Sequence, residues 1–168
     1  MRILLPLLSS LGVRSLLDVG SATGRGLPRL AEGLSRTLIC GIEPVEALVR
    51  QGISSGVTQG LPLLMASGDA LPFADNSFDA VCEFGILYHV PEPARVIQEM
   101  LRVARNVVVI SDANRFGQGS FPLRVAVGRK RLPLSPPDKA GIPGWFHPLL
   151  TSGSVLLIAI RKQQAPAA

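Results

Sequence analysis

Over the first two thirds of the chain, short runs that are apolar at almost every position alternate with segments that are apolar at every third or fourth. The runs fall at 15–19, 37–42, 63–67, 78–84 and 106–111. Continuous runs of this kind, unlike alternating ones, mark strands covered on both faces, as in parallel sheets. The segments between them carry helical spacing. The clearest is 93–104, with Val96, Ile97, Met100, Leu101 and Ala104 on one face and Arg95, Gln98, Glu99 and Arg102 on the other. Pro93 suits the first turn of such a helix, where its missing N–H has no partner to lose. Repeated strand–helix units predict an α/β fold: a doubly wound, mostly parallel sheet with right-handed crossovers and helices on both faces. Ligands in such sheets bind beyond the carboxyl ends of the strands. Chemistry is therefore expected in the residues that follow each strand.

The pattern fades after Asp112, and the charge changes with it. Residues 1–114 carry 9 basic and 11 acidic side chains, a net of −2, whereas residues 115–168 carry 8 and 1, a net of +7. This predicts a single domain over 1–168, with an α/β core over 1–114 and a basic, poorly patterned segment over 115–168. Within that segment 155–160 reads as a last strand. The basic, proline-rich stretch 129–148 leaves little room for the strand that would pair with it, so a C-terminal hairpin is expected to be reduced or altered.

Hydrophobic residues make up 47% of the 168 and charged residues 17%, which excludes a disordered chain. The longest apolar runs, 107–110 and 155–160, fall far short of the ~20 residues of a spanning helix. The start superficially resembles a leader. Pro6 breaks its apolar stretch and no small-x-small site follows, so the protein is expected to be soluble and cytoplasmic. Cys40 and Cys82 sit in apolar runs with no His or Cys at ligand spacing, which reads as two buried small hydrophobes. With His89 and His147 the only histidines, no metal site is expected. The arginines of the basic segment are scattered and lack interleaved aromatics, which argues against a nucleic-acid partner and for a solvated surface. Oligomeric state leaves no signature.

Acids stand at three successive strand ends. The first strand runs into Asp18-Val-Gly20-Ser-Ala22-Thr-Gly24-Arg-Gly26, the second ends in Glu43, and the third leads to Gly68-Asp69-Ala70-Leu71-Pro72. Glycines let the first loop turn sharply and approach a ligand, and the helix behind it offers unpaired N–H groups. An acid at the position of Glu43 suits both hydroxyls of a ribose. A carboxylate such as Asp69 can accept from an exocyclic amine while the next N–H meets a ring nitrogen, as adenine requires. Each acid alone reads as a solvated loop residue, but three on one edge form a constellation. The sign of the charge then separates two ligands. Asp18 would repel a dinucleotide pyrophosphate, and Gly20-x-x-x-Gly24-x-Gly26 is not G-x-G-x-x-G, which disfavours a nicotinamide-dependent oxidoreductase. S-adenosylmethionine brings a sulfonium and an ammonium, which Asp18 favours, and a carboxylate, which the helix N-terminus favours.

Asp18–Gly26, Glu43, the run Gly68-Asp-Ala-Leu-Pro-Phe-Ala-Asp-Asn-Ser-Phe-Asp79 and Ile86-Leu-Tyr-His-Val-Pro-Glu-Pro-Ala together resemble a class I S-adenosylmethionine-dependent methyltransferase. The branch is that of the ubiquinone/menaquinone C-methyltransferase-like enzymes, the methyltransferase type 11 domain. The resemblance covers about 16–112 and implies a Rossmann-like fold in which 1–114 is the donor-binding core. It implies Asp18, Gly20, Ala22 and Gly24 around the methionine moiety, Glu43 on the ribose, and Asp69, Ala70 and Leu71 at the adenine. It also places Glu83–His89 against the methyl group and the acceptor. This chain departs from the family at Ala22, where a glycine is usual; the extra methyl is tolerated at negative φ and costly at positive φ. The helix before the first strand is reduced to about a dozen residues.

Methyl transfer is an in-line displacement at an activated carbon, so a base is needed only where the acceptor must lose a proton. By position His89 and Glu83 are the candidates, each also readable as a structural hydrogen-bonding group. Tyr88 and Phe84 could line the acceptor pocket or simply pack. Arg115 could meet an anionic acceptor or stand in water. The expected function is methyl transfer to a small-molecule acceptor; the competing reading is a non-catalytic S-adenosylmethionine-binding protein with shortened ends.

Overall fold

In the computed structural model, residues 4–113, 125–127, 130–132, 146–152 and 155–161 are described. Helix α1 (Leu4–Ser10) leads into β1 (Ser15–Val19), α2 (Leu27–Gly33), β2 (Leu38–Glu43), α3 (Glu46–Ser54), β3 (Leu63–Met65), β4 (Phe78–Phe84), α4 (Pro93–Val103) and β5 (Ala104–Ala113). Short strands β6 (Val125–Val127) and β7 (Lys130–Leu132) form a separate antiparallel ribbon. Strands β8 (Phe146–Ser152) and β9 (Val155–Arg161) complete a seven-stranded sheet of order β3-β2-β1-β4-β5-β9-β8. The first five are parallel, and β9 and β8 run antiparallel.

The doubly wound parallel sheet is thus as the apolar runs predict, and so is α4. The C-terminal third differs in one respect. A penultimate strand exists in β8, although Pro148 interrupts its sequence pattern. The register slips between Pro148 and Leu150, and β8 is the outermost strand, where a residue lacking N–H is tolerated. Residues 66–77, where a helix would usually cross, carry no regular element.

Strand alternation splits the apolar side chains into two layers. Leu16, Ile39, Ala80, Val107 and Val109 face α1, α2 and α3 through Leu8, Leu27, Leu30 and Val49. Leu17, Ile42, Val81, Val108 and Ile110 face α4, whose Val96, Ile97, Met100 and Val103 are at most 1% exposed. Among the described residues no helix covers the β2–β3 end of that second face, where Leu38 and Leu64 are exposed.

At the amino ends of the strands a single carboxylate ties three elements. Asp79 at the start of β4 accepts the N–H of Arg14 (2.9 Å) and of Ser15 (3.2 Å) on one oxygen, and the guanidinium of Arg105 (2.6 Å) on the other. Its own N–H donates to the Ser15 hydroxyl. Burial raises the Asp79 pKa, but the Arg14 N–H, Arg105 and the Ser15 side chain outweigh it and hold the group below its ordinary 3.8. Because the folded-state value is the lower one, this stabilisation is complete above about pH 4 and fades as pH falls through the folded value. Asp79→Ala should cost about 2 kcal/mol at pH 7 by urea unfolding. The difference from wild type should shrink below pH 4; an equal cost at pH 3 and pH 7 would mean that the charge is irrelevant.

Candidate functional site

Strand order reverses between β1 and β4, which opens a crevice at their carboxyl ends. The loop after β1 enters it. The N–H groups of Gly20 and Ser21 both donate to the Ile42 carbonyl, 2.9 and 2.8 Å, and turn the chain back over β2. Gly20 has φ +77°, and a Cβ there would collide with the Ile86 side chain, so this position requires glycine on both counts. Ala22 has φ +50°, the costly case for a residue with a Cβ. Glu43 holds it there: one carboxylate oxygen accepts the Ala22 N–H at 3.0 Å and the other the Val45 N–H at 3.1 Å, with the residue 6% exposed.

Asp18 lies inside the protein, 5% exposed. The Ser21 hydroxyl donates to its carboxylate at 2.7 Å, and the Cys82 thiol lies 3.7 Å from the other oxygen. Burial pushes the Asp18 carboxyl up to about 6, with Ser21 and Cys82 pulling against it. The charge expected to meet a ligand directly is therefore applied to the loop through Ser21. Burial, with the neighbouring Asp18 and Glu83 charges, pushes the Cys82 thiol well above its usual value and keeps it protonated. Cys82 is buried as the sequence suggests, whereas Cys40 is only half-buried.

Past β3, Asp69 is half-buried and Ala70 is exposed. The Ser67 hydroxyl donates to one Asp69 oxygen at 2.5 Å, and the Ala70 N–H makes only a long bond, 3.3 Å, to the Ser67 carbonyl. The Leu71 N–H, also expected at the adenine, is committed to Glu99 at 2.8 Å. A cavity of about 380 Å³ separates this loop from α4, lined by Asp69, Ala70, Leu71, Arg95, Gln98 and Glu99. Helical spacing puts Arg95, Glu99 and Arg102 on the face of α4 opposite its apolar one. In the structure Arg102 and Glu99 are 31% and 20% exposed at the side chain and bind the loop. Their i, i+3 opposite charges were the available signal, but the sequence does not show what they face.

Glu83, at the end of β4, is fully buried. Its oxygens accept the N–H of Ile86 (3.0 Å) and of Ser111 on β5 (2.9 Å). That enclosure corrects the expectation of a carboxylate facing the acceptor: a base must reach the proton it removes, and Glu83 instead holds the turn at Gly85. Beyond it Tyr88 and His89 are exposed, their rings edge-to-face at 5.5 Å, with the His89 N–H donating to the Ile86 carbonyl. Phe84 packs on the core. Arg115 lies outside the described residues. Among the described residues there is no cluster of three or more His, Cys, Asp or Glu able to hold a metal, and no helix long and apolar enough to cross a membrane.

Residues 17–110 match the family model for the methyltransferase domain. An uncharacterised methyltransferase of Mycobacterium leprae is 36% identical over 100 residues, covering 58% of this chain and 36% of that protein. A demethylmenaquinone methyltransferase of Roseiflexus castenholzii is 35% identical over 89 residues, 53% of this chain and 37% of the relative. The chain thus spans little more than a third of these curated relatives. A SAM-dependent methyltransferase from Aquifex aeolicus shares the fold, with TM-score 0.62, 17% identity and coverage of 93% of this chain and 87% of that one.

Positive φ at Ala22 yields a direct test. Ala22→Gly should raise stability by about 0.5–1 kcal/mol, seen as a rise of about 2–4 °C in melting temperature. A fall would show that Ala22 is not under backbone strain.

Proposed function

The chain belongs to the methyltransferase domain family, and on that premise we propose that it is an S-adenosylmethionine-dependent methyltransferase acting on a small-molecule acceptor. The family's cofactor is S-adenosylmethionine, and the polar groups of the crevice fit it. Each Glu43 oxygen accepts one backbone N–H among the described residues and keeps a lone pair for a ribose hydroxyl. One Asp69 oxygen takes no hydrogen bond among the described residues, which suits an exocyclic amine, and the weakly bonded Ala70 N–H suits a ring nitrogen. The pairing of Glu43 with Asp69 at neighbouring strand ends, both with acceptor capacity to spare, is the observation that carries the reading. Asp18, Gly20, Ala22 and Gly24 would frame the methionine moiety, Asp18 acting through Ser21.

When bound, S-adenosylmethionine supplies a methyl carbon activated by its sulfonium. The task left to the protein is orientation, worth up to ~7–11 kcal/mol when reacting atoms are held in near-attack geometry. His89, exposed on the loop whose Ile86 packs against Gly20, is assigned the proton from acceptors that must lose one. Glu83 fixes that loop through the Ile86 N–H. A small-molecule acceptor is supported by the name of the Roseiflexus relative, which specifies demethylmenaquinone.

Calorimetric titration should show micromolar binding of S-adenosylmethionine and S-adenosylhomocysteine and none of NAD, with Asp69→Ala weakening both adenosyl ligands about tenfold or more. No binding by the folded protein would overturn the donor site. With a proton-losing acceptor identified by transfer of labelled methyl, His89→Gln should lower kcat about 100-fold and leave the S-adenosylhomocysteine Kd unchanged. An unchanged kcat would remove His89 from the mechanism.

A further inference from the structure

The residues that would read the base, Asp69 and Ala70, sit in a stretch without regular structure, where Ser67 bonds both locally and the stretch as a whole is anchored from outside. The chief outside anchor is an ion pair on α4. Glu99 and Arg102 lie one turn apart and join through two parallel bonds, Nε to Oε1 at 2.7 Å and Nη2 to Oε2 at 2.8 Å. The same Glu99 Oε2 accepts the Leu71 N–H at 2.8 Å, and the same Arg102 Nη2 donates to the Leu71 carbonyl at 3.0 Å. Both polar groups of Leu71 are therefore held by one rigid fork. The other guanidinium nitrogen donates to the Phe73 carbonyl (2.8 Å) and to Asp75 (2.9 Å). The Asn76 N–H returns to the Arg102 carbonyl at 3.0 Å. One turn earlier, Arg95 donates to the Asp69 carbonyl at 3.1 Å.

We propose that the Glu99–Arg102 pair is the positioning device for base recognition, fixing the Leu71 peptide so that the Asp69 carboxylate and the Ala70 N–H point together at a 6-aminopurine. This rests on the donor reading above. The fork geometry matters: a lysine at 102 places one ammonium where two separate N–H directions are used and cannot satisfy Glu99, Leu71 and Phe73 at once. Glu99 is held in its charged form, chiefly by the Arg102 hydrogen bonds and also by the Leu71 N–H, so the fork stays closed at neutral pH. Neither residue touches the ligand in this scheme; both act through Leu71.

The experiment compares Kd values for S-adenosylhomocysteine and for S-inosylhomocysteine, which carries a 6-oxo group where the first has a 6-amino group. Wild type should prefer the amino ligand by about tenfold or more. In Arg102→Lys and Glu99→Gln that ratio should collapse toward one, whereas Met100→Ala, which empties core volume from the same helix, should lower the melting temperature and leave the ratio intact. A wild-type ratio preserved in either folded variant overturns the positioning role, and so does a ratio that falls equally in Met100→Ala. Should wild type bind neither ligand, the donor reading itself fails and the positioning role goes with it.

Discussion

Most buried carboxylates in this protein are satisfied by backbone N–H groups, and that constraint shapes much of the molecule. An ionised acid removed from water is tolerable only where donors replace its hydration. Here, apart from Asp18 with its Ser21 hydroxyl and Cys82 thiol, the donors are chiefly main-chain groups. Glu43 takes Ala22 and Val45, Glu83 takes Ile86 and Ser111, and Asp79 takes Arg14 and Ser15, while the partly exposed Glu99 takes Leu71. Each acid thus fixes a turn or a strand junction that has little local preference of its own. Glu43 and Glu83 stand at the carboxyl edge, where loops must be irregular enough to admit a ligand and still hold one shape. Asp79 does the corresponding work at the opposite edge.

This arrangement explains how the described residues, with no helix over the β2–β3 end of one face, present a defined site. The loop after β3 is not organised by a crossing helix but by side chains reaching down from α4. The loop after β1 is not organised by glycine alone, since Ala22 is kept at positive φ by a carboxylate from β2. Local strain at Ala22 is offset by satisfying Glu43. Site geometry and the burial of charge are therefore one problem, solved by the same hydrogen bonds.

Much of the fold could be read from the sequence because parallel strands announce themselves by continuous apolar runs. β1 and β4 fall at the expected residues, β2 is offset by one, and β3 ends at Met65, two residues before its run does. β8 was illegible because Pro148 breaks the pattern of a strand whose register absorbs it as an irregularity. Acids at strand ends were equally visible, but their roles were not. Whether a carboxylate looks outward or inward depends on what the neighbouring strand brings beside it, as Ser111 of β5 does for Glu83. The same holds for Glu99 and Arg102, which look like ordinary solvent-facing charges until the loop is placed against them.

Cys82 adds a consequence of a practical kind. Its thiol is enclosed in the central strand and held protonated, while Cys40 is half-exposed on β2. A thiol reagent can meet Cys82 only when β4 parts from its neighbours, so its labelling rate counts openings of the sheet. Cys40, only half-buried, needs less of an opening and serves as the internal clock against which those rare events are timed. The native chain therefore carries its own two-channel probe of breathing motions, with no chromophore or added residue required.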